Sequence, residues 1–133
     1  MTVVRSLIAL LAGLFVVVAL SIAVDEIMHS TGVIPRGAMW NPWHNVLALA
    51  YRSAITIEAA WLTARIAPSA PMRHAIVLGL IGTALGVLGV VLTWNLNLGP
   101  HWYPIALAVT ALPLCWLGGR IAARRAGVSR AAA

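Results

Sequence analysis

The feature that most constrains this chain is an unbroken apolar run near its start. From Ser6 to Val24, nineteen residues pass without a charge between Arg5 and Asp25. As a helix rising 1.5 Å per residue they cover about 28 Å, close to the hydrocarbon thickness of a bilayer. A soluble surface helix of that length needs a polar face, and this run has none. Ser21 and Ala23 would suit the small positions before a signal-peptidase cut, but the run exceeds a usual signal core and reads as a first membrane span.

Three more apolar stretches follow, His44 to Ala67, His74 to Trp94 and Pro104 to Ala123, separated by short connectors rich in Gly and Pro. Only 9% of residues are charged and 62% are hydrophobic, whereas a soluble domain carries about 25% charged residues. The expectation is an all-α membrane protein: an antiparallel bundle of four transmembrane helices, with spans of about 6–28, 43–67, 74–95 and 104–123. They form a single domain over 1–126, with 127–133 as a flexible C-terminal tail. Within the 133 residues there is no room for a separate soluble domain.

All nine basic residues are Arg, against three acids, for a net charge of +6. Because the arginines flank apolar spans, the partner they imply is the lipid headgroup, not nucleic acid. In a four-span arrangement Arg5, Arg65, Arg73, Arg120, Arg124, Arg125 and Arg130 fall on one side and only Arg36 in the loops opposite. By the positive-inside rule both termini are then cytoplasmic, as in a multi-pass protein of a bacterial inner membrane.

The second span is the unusual one. Asn41-Pro42 starts it as a capping residue followed by a proline at the first helical position. His44, Tyr51, Glu58 and Arg65 recur every seven residues and form one polar line down the helix. An ionised carboxylate near the bilayer centre costs roughly 2.5–3.5 kcal/mol on insertion scales, so Glu58 is expected to face protein. Arg52 stands about 120° away from it and about 9 Å along the axis, too poorly placed to pair within the helix. Its partners must come from another span, where Asp25 and Glu26 are the only other acids. Glu58, Arg52 and Tyr51 are therefore the ligand- or proton-binding candidates, although polar glue between helices, satisfied by neighbouring helices and water, is the leading explanation of Arg52 and Glu58.

In the third span Ala75, Gly79, Gly82, Gly86, Gly89 and Thr93 form a stripe of small residues that lets another backbone approach closely. Gly79, Gly82, Gly86 and Gly89 are the helix-packing candidates. They can meet this chain, a second copy or another membrane protein. Pro113, inside the fourth span, is expected to kink it and free a carbonyl for Thr110, water or a neighbouring helix. The lone Cys115 excludes an intramolecular disulfide.

With the orientation above, His29, His44, His101, Asp25 and Glu26 gather at the outer boundary among Trp40, Trp43, Trp94, Trp102 and Tyr103. These five are the metal or cofactor candidates, through imidazole and carboxylate ligation or axial haem coordination, and which cofactor is unknown. The ordinary alternative is an interfacial aromatic belt. No nucleotide loop, nucleophile elbow, cysteine metal motif or zincin helix is present, which leans away from an enzyme.

Several strings, Ala50-Tyr51-Arg52, Thr63-Ala64-Arg65-Ile66-Ala67-Pro68, Pro71-Met72-Arg73-His74-Ala75, Trp102-Tyr103-Pro104 and Pro113-Leu114-Cys115-Trp116-Leu117-Gly118-Gly119, resemble those of short uncharacterised bacterial four-helix inner-membrane proteins. The resemblance covers most of the chain. It implies the architecture and the membrane, and brings no activity.

Three function classes follow. The leading one is a non-enzymatic accessory, scaffold or helix-packing protein. The others are a metal, haem or other redox cofactor protein with a periplasmic-face site, and a small proton-coupled transporter or channel using Glu58.

Overall fold

The computed structural model describes residues 1–132 and is all-helical across its main elements: α1 (Thr2–Ser30), α2 (Pro42–Ile66), α3 (Pro71–Thr93) and α4 (Trp102–Ala132). α1, α3 and the Trp102–Val128 part of α4 are long and apolar enough to cross a membrane. α2 has the length, 25 residues, but Asn45, Arg52, Glu58 and Arg65 dilute its apolar character. The tail expected to fray continues as helix through Ala132, and Ala133 lies outside the described residues.

The helix boundaries follow local chemistry. Asn41 Oδ1 accepts from the Trp43 backbone N–H at 3.0 Å and Pro42 begins α2. After α1, Gly32 adopts a left-handed φ of 75° and the Ile34 N–H returns to Met28 O at 3.1 Å, which seats Ile34 fully buried against the helix end. α4 is continuous through Pro113. Thr110 Oγ1 donates to Ala106 O at 2.7 Å, so that hydroxyl is not turned to the carbonyl the proline frees.

The helices do not form a square. α4 packs along both α3 and α2, α1 leans mainly on α2, and among the described residues the backbones of α1 and α4 do not approach each other closely. The bundle is thus a three-helix core of α2, α3 and α4 with α1 laid against its side. Its interior is built from small residues: Ala48, Ala59, Ala60, Ala64, Ala75, Ala108 and Ala122 are buried, joined by Leu78 and Cys115. Large apolar side chains such as Leu11, Phe15, Val91, Leu92 and Val109 point outward. Small inside and large outside is the distribution suited to lipid, where close backbone approach, not the hydrophobic effect, drives association.

The small-residue stripe of α3 shows how close that approach is. A Cβ at Gly86 would stand 2.8 Å from Ala108 Cα, and one at Gly79 would stand 3.0 Å from Leu112 Cα, both on α4. Gly82 faces Ala111 more loosely, and Gly89 faces open space. Three of the four stripe glycines are therefore covered by this chain's own α4. On the other helices, Gly13 of α1 lies against Thr63 of α2, and Gly118 of α4 lies against the Ile57 carbonyl of α2. These registers run α1 antiparallel to α2 and α3 antiparallel to α4, while α2 and α4 run parallel.

Candidate functional site on the second helix

α2 carries its polar residues in two separate groups. The upper one joins α2 to α1: Tyr51 Oη and the Arg52 guanidinium both donate to the Asp25 carboxylate, one to each oxygen. Asp25 and Arg52 are about three-quarters and two-thirds buried. Their charges cancel across the helix interface, which offsets part of the penalty that either alone would carry in an apolar surround. Arg52 also lines a cavity of about 290 Å³ that reaches all four helices and includes Ser21, Thr56, Gly86 and Cys115. Arg52 Nε is buried without an acceptor.

The lower group is arranged differently. Glu58, expected to face protein, is exposed, and among the described residues it has no ion-pair partner. It lines an open groove of about 560 Å³ between α2 and α4, with Ala54, Ile57, Trp61, Ile121 and Arg125. The reason lies in the buried face of α2, defined by Ile55, Ala59, Ala60, Thr63 and Ala64. Gly118 presses on the backbone there, so the small residues take the interface and Glu58 is left at its rim. The heptad line of His44, Tyr51, Glu58 and Arg65 is real, but it follows the edge of the contact rather than its centre.

The histidines and acids of the opposite end do not come together. His29 Nδ1 is 3.1 Å from Ile34 O. Glu26 accepts from Arg36 at 2.5 and 3.3 Å in an exposed ion pair. His101 stacks on Trp94 with ring centroids 4.0 Å apart, and its Nε2 lies 2.9 Å from Trp94 O. His44 Nδ1 is buried without a partner. Among the described residues no three His, Cys, Asp or Glu side chains are grouped to hold a metal ion. The five candidates go separate ways: His29, Glu26 and His101 contact the connectors, Asp25 fastens α1 to α2, and the His44 side chain has no partner.

Those loops cap the bundle. The Met39 N–H donates to Leu98 O at 2.6 Å, tying the α1–α2 connector to the α3–α4 connector. Gly99, at φ 155°, lets its backbone lie against Met39 O, where a Cβ would come within 2.6 Å. Asn45, fully buried, donates to Met39 O at 2.8 Å and Asn41 O at 3.0 Å. Sequence reading missed Asn45 and the Gly13–Thr63 contact. A polar side chain one turn after a helix start, and a lone glycine in an otherwise large apolar run, were the signals available.

The chain matches no family model, no curated protein and no solved structure.

Proposed function

We propose that this chain is a small multi-pass protein of a bacterial inner membrane, with α2 as its fourth span, acting as a non-enzymatic accessory or scaffold. The observation that carries the reading is the Asp25 clamp. The most buried charges among the described residues are used to fasten one helix to another, with both carboxylate oxygens occupied by Tyr51 and Arg52. The lone α1, with its wide exposed apolar face, and the small-residue core fit a body that presents helix surface to other membrane components.

A proton-carrying role is the second reading, favoured by one feature: Glu58 is free of any partner among the described residues and opens on a groove. One set of preparations separates the two. On the scaffold reading, purified protein is colourless and metal-free, and Glu58→Gln and His101→Ala keep the wild-type fold and oligomeric state. Liposomes carrying the protein then show no pH-driven flux. A stoichiometric metal or chromophore, or a flux abolished by Glu58→Gln, overturns the scaffold reading.

A further inference from the structure

The groove between α2 and α4 has a polarity gradient along its length. Because Gly118 lies against Ile57, Ala60 and Trp61, that residue fixes the relative height of the two parallel helices. Arg125 is seven residues beyond Gly118 and Arg65 seven beyond Glu58, so both side chains start about 10 Å nearer the same end of the bundle, on the same helix faces. Arg125 lines the groove directly, and the Arg65 guanidinium stands over the ring of Trp61, another lining residue, at 5.4 Å. Both arginines are exposed, and among the described residues neither has a carboxylate partner. Away from them the walls are Trp61, Ile57, Ala54 and Ile121, with the exposed Glu58 part-way along, between Trp61 and Ala54.

We infer that this groove is a binding site for one anionic phospholipid, resting on the placement of α2 across the membrane proposed above. The phosphate sits between Arg65 and Arg125, and an acyl chain runs up the apolar walls past Trp61. Charge complementarity selects this occupant. A second copy related by a two-fold axis along the membrane normal would set Glu58 against Glu58 and Arg125 against Arg125. A phosphodiester meets only the arginines, since Glu58 begins about 10 Å deeper, beside the acyl chain. Guanidinium groups at the mouth of an interhelical groove suit such headgroups by bidentate hydrogen bonding.

The test uses delipidated full-length protein given an equimolar mixture of phosphatidylglycerol and phosphatidylcholine of identical acyl composition, with retained lipid identified by native mass spectrometry. Wild type is expected to retain the anionic lipid preferentially. Each near-surface arginine strengthens such binding about fivefold, so Arg65→Gln with Arg125→Gln lowers the preference by about 25-fold. The control pair Arg120→Gln with Arg124→Gln removes the same charge off the groove, where distance and screening weaken its pull on the bound headgroup, and is expected to lower the preference by less than about fivefold. Circular dichroism checks that both variants are folded. Wild type without preference, or equal losses in the two double variants, overturns the site. Displacement of the lipid by glycerophosphoglycerol, which has no acyl chain, at equal concentration does so too. Loss of the α2 crossing would show separately, in a topology measurement that does not depend on lipid.

Discussion

At the residue scale the distinction that matters is between charges that are spent and charges that are free. Asp25 accepts from two α2 side chains, so Asp25→Asn weakens two charge-assisted hydrogen bonds and is expected to cost about 2 kcal/mol. Asp25→Ala costs about 3 kcal/mol or more, because Arg52 is left without its counter-charge. Glu58→Gln removes no interaction within the described chain and is expected to change stability by less than about 0.5 kcal/mol. Unfolding in mixed micelles titrated with dodecyl sulfate ranks the three, and Glu58→Gln as damaging as Asp25→Asn would contradict this division. The sequence showed that Arg52 needed a carboxylate from another span and offered Asp25 or Glu26, but it could not choose. The choice is made by Arg36, which takes Glu26 from outside the helix, and by the register of α1 on α2. Glu58 was misread for a related reason. Helical spacing gives a direction, and only packing decides whether that direction is a centre or a rim.

At the element scale, small residues set which helices touch. Gly86→Ala puts a Cβ against Ala108 backbone at 2.8 Å and is expected to destabilise by about 1–3 kcal/mol through overpacking. Gly89→Ala meets nothing within 4 Å and gains up to about 1 kcal/mol from helix propensity. The native thiol gives a second readout, since Cys115 is 2% exposed and packed at Gly79. Its alkylation by maleimide speeds up in Gly86→Ala and is unchanged in Gly89→Ala. Equal behaviour of the two variants would sink the assignment of the α3 stripe to α4. The stripe itself was plain in the sequence. Its partner was not, because a row of glycines specifies close approach without naming what approaches, and the matching small residues of α4, Ala108, Ala111 and Gly119, are spread through a less regular pattern. The same limit applies to the outer histidines. Each sits near a helix end, as expected, but the two connectors meet through Met39 and Leu98 while His29 and His101 each bond a carbonyl of their own connector, so the imidazoles do not converge.

At the scale of the whole molecule, four helices of sufficient length, a small-residue interior and an apolar exterior describe a body made for lipid, and run lengths in the sequence already implied it. The asymmetric packing was less legible, since nothing in the apolar run of α1 announces that its backbone lies close to α2 and, among the described residues, stays away from that of α4. The start of α1 and the end of α4 lie at the end of the bundle that carries the α2–α3 turn, and the proposed orientation, read from the arginines by the positive-inside rule, sets that end in the cytoplasm. Fusions of a periplasm-dependent reporter to either terminus are therefore expected to be inactive, and activity at one terminus alone would require an odd number of crossings. The architecture turns on α2, the one helix whose composition resists the membrane. Its crossing is measured directly by placing single cysteines at Ala38 and Ser69, both exposed and at opposite ends of α2, in a Cys115→Ala background. A membrane-impermeant maleimide added to intact spheroplasts should label the Ala38→Cys protein and reach the Ser69→Cys protein only after the membrane is broken. Labelling of both from the same side would mean that α2 does not cross.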